Sequence, residues 1–254
     1  MSKRNTQQRR HQILQLVNDK QEISVDRLSQ ICDTSEVTIR KDLNALEKSG
    51  LLLRRFGGAI ALPSELISNE TKTVSIQKKQ IAKKAVSLIR NHNRIVLDCG
   101  HTTLTMIEDL SSIEGLVVMT NSLLIANKIN ELESEPTLLM TGGTWDPHSE
   151  SFQGQVAESV LQSYDFDQLF IGADGIDPAR GTTTFNELMG LSRVMAQSAR
   201  EVVVMVESEK IGRKIPNLEL AWDQVNVLIT DSKLESQIEQ IIMQAGVKVL
   251  YADK

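Results

Sequence analysis

Hydrophobic residues recur with two different rhythms along the chain. Near the start they return every three or four positions, the spacing of a helix face. Residues 9–18 (RRHQILQLVN) carry Ile13, Leu14, Leu16 and Val17 along one stripe. A second run, SVDRLSQICD from Ser24, turns Val25, Leu28 and Ile31 inward. After a short connection over residues 33–36, Ile39, Leu43 and Leu46 repeat the pattern, and Gly50 stops it. Arg54 and Arg55 then lead into a turn at Gly57 and Gly58, with a strand expected on either side. Three short helices, a tight turn before the third and a hairpin after it predict a winged helix-turn-helix.

The second rhythm starts at Ile76. Short blocks of consecutive apolar residues, RIVLD (94–98), LVVMT (116–120), TLLMT (137–141), QLFIG (168–172), EVVVMVE (201–207), VNVLIT (225–230) and VKVLY (247–251), read as buried strands. Helical stretches separate most of them, among them IQKKQIAKKAVSLIR, TTLTMIEDL, SLLIANKINEL, LSRVMAQSAR and LESQIEQIIMQ. Such alternation predicts an α/β unit with a mostly parallel sheet covered on both faces. Between the two rhythms, residues 61–75 are polar and non-periodic, with Pro63 near the start. The expected organisation is a winged helix-turn-helix over 1–60, a linker over 61–75 and an α/β domain over 76–254.

The polar side of the third helix carries the first candidate chemistry. Thr38, Arg40, Lys41 and Asn44 fall away from its apolar side, with Ser35 at its entry. An apolar-backed helix with this outer face can enter a major groove, where Arg reads guanine, Asn reads adenine, and Lys and Thr hold phosphates. Ser35, Thr38, Arg40, Lys41, Asn44, Arg54 and Arg55 are therefore the candidate contacts to double-stranded DNA. An ordinary solvated helix would explain the charges alone, but not the two helices and the turn that precede them.

Charge distribution agrees with that division. The 254 residues are 41% hydrophobic and 24% charged, with a net charge of −5. Residues 1–60 hold 11 Lys and Arg against 7 Asp and Glu, whereas the remainder holds 17 against 26. A basic head on an acidic body suits a small DNA-contacting module attached to a unit that does not touch DNA. Cys32 and Cys99 offer neither a disulfide framework nor the spaced partners of a zinc site. No cofactor motif is present, and no apolar run approaches a membrane span or a signal-peptide core, so a cytoplasmic protein is expected.

Ligands of parallel α/β sheets gather at the carboxyl ends of the strands. Here those ends hold Asp98, Gly100, His101, Thr102 and Thr103; Thr120 and Asn121; Gly142 and Gly143; Asp174, followed by Asn186 and Glu187; and Lys210. Taken singly each is a weak signal, since Ser, Thr and Asn before helices are usually N-caps. Five polar or Gly-rich strand ends in one sheet favour a pocket for a polyol or a phosphate.

The N-terminal motif, TIRKDL (38–43), GLL (50–52) and RFGGA (55–59), resembles the DNA-binding domain of the DeoR family of bacterial sugar-operon regulators. The likeness continues through the body, where the family's Asp-x-Gly-Ser-Thr phosphate loop falls on residues 98–102, its Thr-Asn-Ser on 120–122 and its Gly-Gly on Gly142 and Gly143. Within the family, VMTNSLLIAN, SFQGQVAES, FIGADGID and TTFNE most resemble repressors of hexitol (glucitol or galactitol) operons. The resemblance implies a sensor domain with the fold of ribose-5-phosphate isomerase, a sugar, polyol or sugar-phosphate effector, and a repressor that the effector releases from its operator. A single small head reads few base pairs, so a homo-oligomer, dimer or tetramer, is expected. Three positions depart from the family pattern: His101 stands for Ser, Asp146 for a frequent Arg, and Glu207 for Asp. The first two leave room for a neutral polyol or a different phosphate, and His101 could bind phosphate or simply cap its helix. Activation of a similar operon stays open, because its sign depends on where the operator lies. A sugar-phosphate isomerase with an appended head is the enzymatic alternative. However, the isomerases' Asp-Gly-Ala-Asp-Glu stretch stands here with Ile171 and Gly175 at its outer positions, so no catalytic residue is expected.

Overall fold

The structure, a computed structural model, describes residues 3–20, 22–48, 52–55, 57–61, 74–147, 149–185, 189–213, 215 and 217–253. The chain forms two compact units, Met1–Thr73 and Val74–Lys254. Most of the expected linker lies outside the described residues. Its last residue, Ser75, belongs to the second unit, where it caps the first helix by accepting from the Lys78 N–H at 3.0 Å.

In the first unit the apolar stripes close on one another. Helices α1 (Lys3–Lys20), α2 (Val25–Ile31) and α3 (Glu36–Lys48) bury Ile13, Val17, Leu28, Ile39, Leu43 and Leu46 in a common core. Helix α1 begins six residues before the amphipathic stripe, in a polar run that carries no periodicity. Strands β2 (Leu52–Arg55) and β3 (Gly58–Ala61) form the hairpin, and a short strand β1 (Glu22–Ser24) joins it to give the order β1-β3-β2. Gly58 is required at that junction, since a Cβ there would stand 2.5 Å from the Ile23 carbonyl oxygen. One charged residue is buried in this unit's described part: Asp42 on α3 accepts from Arg9 Nε at 2.6 Å and Arg10 Nε at 2.8 Å, fastening α1 to α3. Two charge-assisted bonds offset the desolvation of that carboxylate.

The second unit is built on seven parallel strands, β4 (Arg94–Leu97), β5 (Val117–Thr120), β6 (Thr137–Met140), β9 (Phe166–Ile171), β12 (Ala199–Met205), β14 (Val227–Thr230) and β15 (Lys248–Tyr251). All seven coincide with the apolar blocks of the sequence. Alternate residues serve opposite faces. Val96, Leu169, Ile171, Val202 and Val204 enter one core, and Ile95, Leu97, Phe170, Val203 and Met205 enter the other. Helices α4 (Ile76–Val86) and α6 (Leu123–Asn130) cover the second face, and α7 (Gln155–Leu161) and α8 (Gly190–Gln197) the first. The single helix expected near residues 102–110 is instead a four-residue α5 (His101–Leu104) followed by a 3₁₀ turn, Ile107–Ser112. There the Thr105 hydroxyl bonds back to the His101 carbonyl at 2.7 Å, a competitor to helix continuation.

The strand order β15-β14-β12-β9-β4-β5-β6 fixes where a ligand can enter. The chain winds outward from β4 through β5 to β6, returns to the other side of β4 as β9, and winds outward again. Loops leaving β4 and β9 therefore diverge to opposite faces, opening a crevice at their carboxyl ends. Two smaller sheets border that end: the hairpin β7 (Thr144–Asp146) and β8 (Ser151–Gln153), and the antiparallel set β10 (Gly175–Asp177), β11 (Gly181–Thr184) and β13 (Asn217–Ala221). Neither was expected from the sequence.

Phe170 is fully buried at the centre of the main sheet. Phe170→Ala should cost about 3–5 kcal/mol of stability, the range for deleting a core aromatic ring. The urea unfolding transition of the second unit measures it; a loss well under about 1 kcal/mol would contradict this packing.

Candidate functional site

The outer face of α3 is built by default. With Ile39, Leu43 and Leu46 committed to the core, Arg40 and Lys41 are left exposed, and Thr38 and Asn44 half-buried on its flanks. Ser35 precedes the helix and caps it, accepting from the Thr38 N–H at 3.2 Å while its hydroxyl meets the Thr38 hydroxyl at 2.9 Å. Arg40 is paired one turn back with Glu36 at 2.6 Å, an exposed ion pair that orients the guanidinium more than it stabilises the helix. In the hairpin, the Arg54 N–H donates to Glu47 Oε1 at 2.9 Å, tying β2 to α3. Arg55 lies in the same strand; its side chain is outside the described residues.

At the crevice of the second unit, polar side chains from several strand ends converge. Asp98 follows β4 and accepts from Asn121 Nδ2 at 3.0 Å, while Asn121 Oδ1 accepts from the Cys99 N–H at 3.0 Å. The Asn that follows β5 thus locks the loop that follows β4. Asp174, following β9, accepts from the Thr184 hydroxyl at 2.7 Å and the Phe185 N–H at 3.1 Å. Lys210 Nζ donates to the Ala173 carbonyl at 3.2 Å. The most buried acid here is one that sequence reasoning missed. Glu219, in the middle of β13, accepts from the Ser192 hydroxyl at 2.8 Å and the Thr182 hydroxyl at 3.3 Å. A lone carboxylate within the apolar run LELA was its only signal.

Electrostatics couple these acids. Burial pushes the Glu219 carboxyl from 4.5 to about 8, and the charges of Asp98 and Asp174 push the same way. Burial likewise raises Asp98 from 3.8 to about 6, with Asp174 adding to it and Asn121 opposing it. Like charges crowded out of water cannot all ionise, so the cluster holds protons that separate carboxyls would have lost. A fully buried Ser151 continues the network: its hydroxyl lies 2.8 Å from that of Ser149 and accepts from Gln153 Nε2 at 2.8 Å, with the Cys99 thiol beside it.

Other expected positions are engaged with the backbone. The Thr103 hydroxyl donates to the Gly100 carbonyl at 2.8 Å, and Thr120 Oγ1 accepts from the Ser122 N–H at 3.1 Å. Thr102 is buried and His101 exposed, both on α5. Gly142 and Gly143 adopt positive φ, and a Cβ on Gly143 would stand 2.6 Å from the Gln153 carbonyl oxygen, so close approach of the hairpin already demands glycine there. Asn186 and Glu187 lie outside the described residues. Of the departures, Asp146 accepts from the Ser149 hydroxyl at 2.6 Å and, with Trp145, Gln153 and Glu158, walls a groove of about 240 Å³. The longer Glu207 reaches back to the Ser75 hydroxyl at 2.5 Å and Lys78 at 3.5 Å. Among the described residues, no group of three His, Cys, Asp or Glu is placed to hold a metal ion, and no helix is long and apolar enough to cross a membrane.

Known proteins place this pairing of units. Residues 9–65 match the DeoR-like helix-turn-helix domain, and residues 74–232 match the DeoR C-terminal sensor domain. The chain is 36% identical to a candidate aga operon transcriptional repressor of Escherichia coli O157:H7, covering 96% of this chain and 93% of that one. It is 30% identical to the HTH-type transcriptional regulator GolR of Listeria innocua, covering 97% and 98% respectively. A ribose 5-phosphate isomerase A from Methanocaldococcus jannaschii is similar at 20% identity and a TM-score of 0.39 over 54% of each chain. The chain belongs to the DeoR family, whose members are DNA-binding transcriptional regulators and not enzymes.

The raised carboxyls have a consequence for stability. Each holds its proton in the folded state over a range where the unfolded chain has released it. Their contribution is therefore fully present below the ordinary carboxyl range and is lost as pH rises, through about 6 for Asp98 and about 8 for Glu219. Glu219→Gln removes the larger part. Urea unfolding from about pH 5 to pH 9 should show a shallower decline for the variant than for wild type; equal slopes would contradict the assigned protonation.

Proposed function

We propose that the protein represses a sugar or sugar-alcohol catabolic operon, and that a sugar-derived effector in the crevice at β4 and β9 releases it from the operator. The observation that carries this reading is the convergence of Asp98, Asn121, Asp174 and Glu219 on the crevice of a DeoR sensor domain. Carboxyl groups beside an amide suit a polyhydroxylated ligand, because each hydroxyl can donate to one and accept from another. The names of the relatives support a sugar-related operon, and the hexitol assignment rests on the likeness of the stretches at residues 118–127, 151–159, 170–177 and 183–187. DNA is held by α3 and the wing: Arg40 and Asn44 read bases, and Ser35, Thr38, Lys41, Arg54 and Arg55 hold phosphates. One such head covers few base pairs, so the acting species is a dimer or tetramer. It works in the cytoplasm, where its operator is.

The effector releases DNA only if it binds the two conformations of the chain unequally. Fluorescence anisotropy of the full chain on DNA from upstream of its own operon, repeated with hexitols and hexitol phosphates, tests this. Release by one of them is the expected result; tight binding that none disturbs would reject the hexitol reading. Two variants separate the roles. Arg40→Ala should weaken operator binding by about 1–3 kcal/mol and relax specificity at one position, and unchanged affinity would remove Arg40 from the interface. Asp98→Asn should bind the operator normally and lose its response, whereas a normal response would move the pocket elsewhere.

A further inference from the structure

One side chain on the DNA-facing helix has no use within its own unit. Val37 is 60% exposed, and it is the only large hydrophobic residue exposed among the described residues of the first unit. Its position is central. At 3.6 residues per turn, Val37, Lys41 and Asn44 lie within about 60° of one another, directly opposite Ile39, Leu43 and Leu46, which fill the core. Val37 also stands in the first turn of α3, one residue past Glu36. In helix-turn-helix proteins the N-terminal residues of the second helix are the ones that reach base edges.

Local physics gives no reason for valine here. An exposed position in a first turn is served better by a straight-chain polar residue, and β-branched valine gives up rotamer freedom in a helix. The flanking polar groups bond to one another and not to Val37: Ser35 meets Thr38, and Arg40 pairs with Glu36. A methyl-bearing side chain is thus ringed by polar and cationic neighbours, Thr38, Arg40 and Lys41. Such a surface meets a polyanion well, with its centre left for something apolar. In a major groove the apolar feature presented by bases is the C5-methyl group of thymine.

We propose that Val37 is a specificity-determining residue that packs its methyl groups against a thymine methyl in the operator. The inference rests on the reading of α3 as the DNA-contacting helix. It assigns part of the sequence preference to an apolar contact made by side-chain methyl groups and not by hydrogen bonds.

The test uses a chemical change confined to that methyl. The tightest-binding duplex for the full chain is selected from a randomised library, and each thymine is replaced in turn by deoxyuridine. Phosphates and hydrogen-bonding edges stay as they were. At one or two positions, wild type should lose about fourfold in affinity, the worth of one buried methyl-sized group. Val37→Ala should bind the thymine duplex more weakly and show no further loss with deoxyuridine there. Val37→Thr, which keeps one methyl, should recover part of the discrimination. The proposal is overturned if no thymine replacement affects wild type, or if Val37→Ala suffers the same penalty as wild type. It is also overturned if the substitution changes the protein's association state and its affinity for both duplexes alike, since Val37 would then serve contact between copies. A chain that selects no sequence at all fails at the prior step, the DNA reading of α3.

Discussion

A parallel sheet has no face it can leave to water, and most of the sensor unit follows from that. Val202 and Val204 enter one core while Val203 and Met205 enter the other, so both faces must be covered by helices. Helices can cover both faces only if the chain reverses its winding direction once. That reversal falls between β4 and β9. The crevice is thus a by-product of covering hydrophobic strands, and it lies where Asp98 and Asp174 emerge from the sheet.

Those acids are costly to place. Burial and mutual repulsion keep the Asp98 and Glu219 carboxyls partly protonated, and Asn121, Ser192 and Thr182 supply hydrogen bonds that offset the desolvation. A network of this kind is satisfied in more than one arrangement, because hydroxyls and protonated carboxyls can exchange donor and acceptor roles. A ligand with several hydroxyls can join it without leaving an orphaned group. In the first unit the same economy runs the other way. Asp42 uses its charge to fix Arg9 and Arg10, leaving the opposite side of α3 free of structural duties.

How much of this was legible in the chain depended on burial pattern. The seven strands of the main sheet were readable because burial on both faces makes each a continuous apolar run. The smaller sheets were not: GTTT of β11 is wholly buried yet polar, and the three-residue strands GID, TWD and SFQ are too short for a period of two to register. Asp98, Asn121 and Asp174 stood out because they follow strands, and the structure brings them together. Glu219 escaped notice because it lies within a strand of the smaller sheet, and its partners Thr182 and Ser192 are more than 25 residues away in sequence. Thr103 and Thr120 have the composition of ligand donors, yet their side chains bond to nearby backbone. Sequence alone cannot separate those uses, since both place a short hydroxyl at a strand end. Val37 was passed over because an apolar residue in an amphipathic helix is ordinarily read as core.

The central claim is that DNA binding and sugar sensing are coupled within one chain. Thermodynamic linkage makes this measurable from the sensor side, since an effector that weakens operator binding must itself be weakened by operator to the same degree. Calorimetric titration of the full chain with the hexitol or hexitol phosphate that releases DNA, in the absence and presence of saturating operator duplex, is the direct test. The account predicts a lower effector affinity on DNA, by the same factor as the effector lowers operator affinity. Equal effector affinity in both conditions would contradict it.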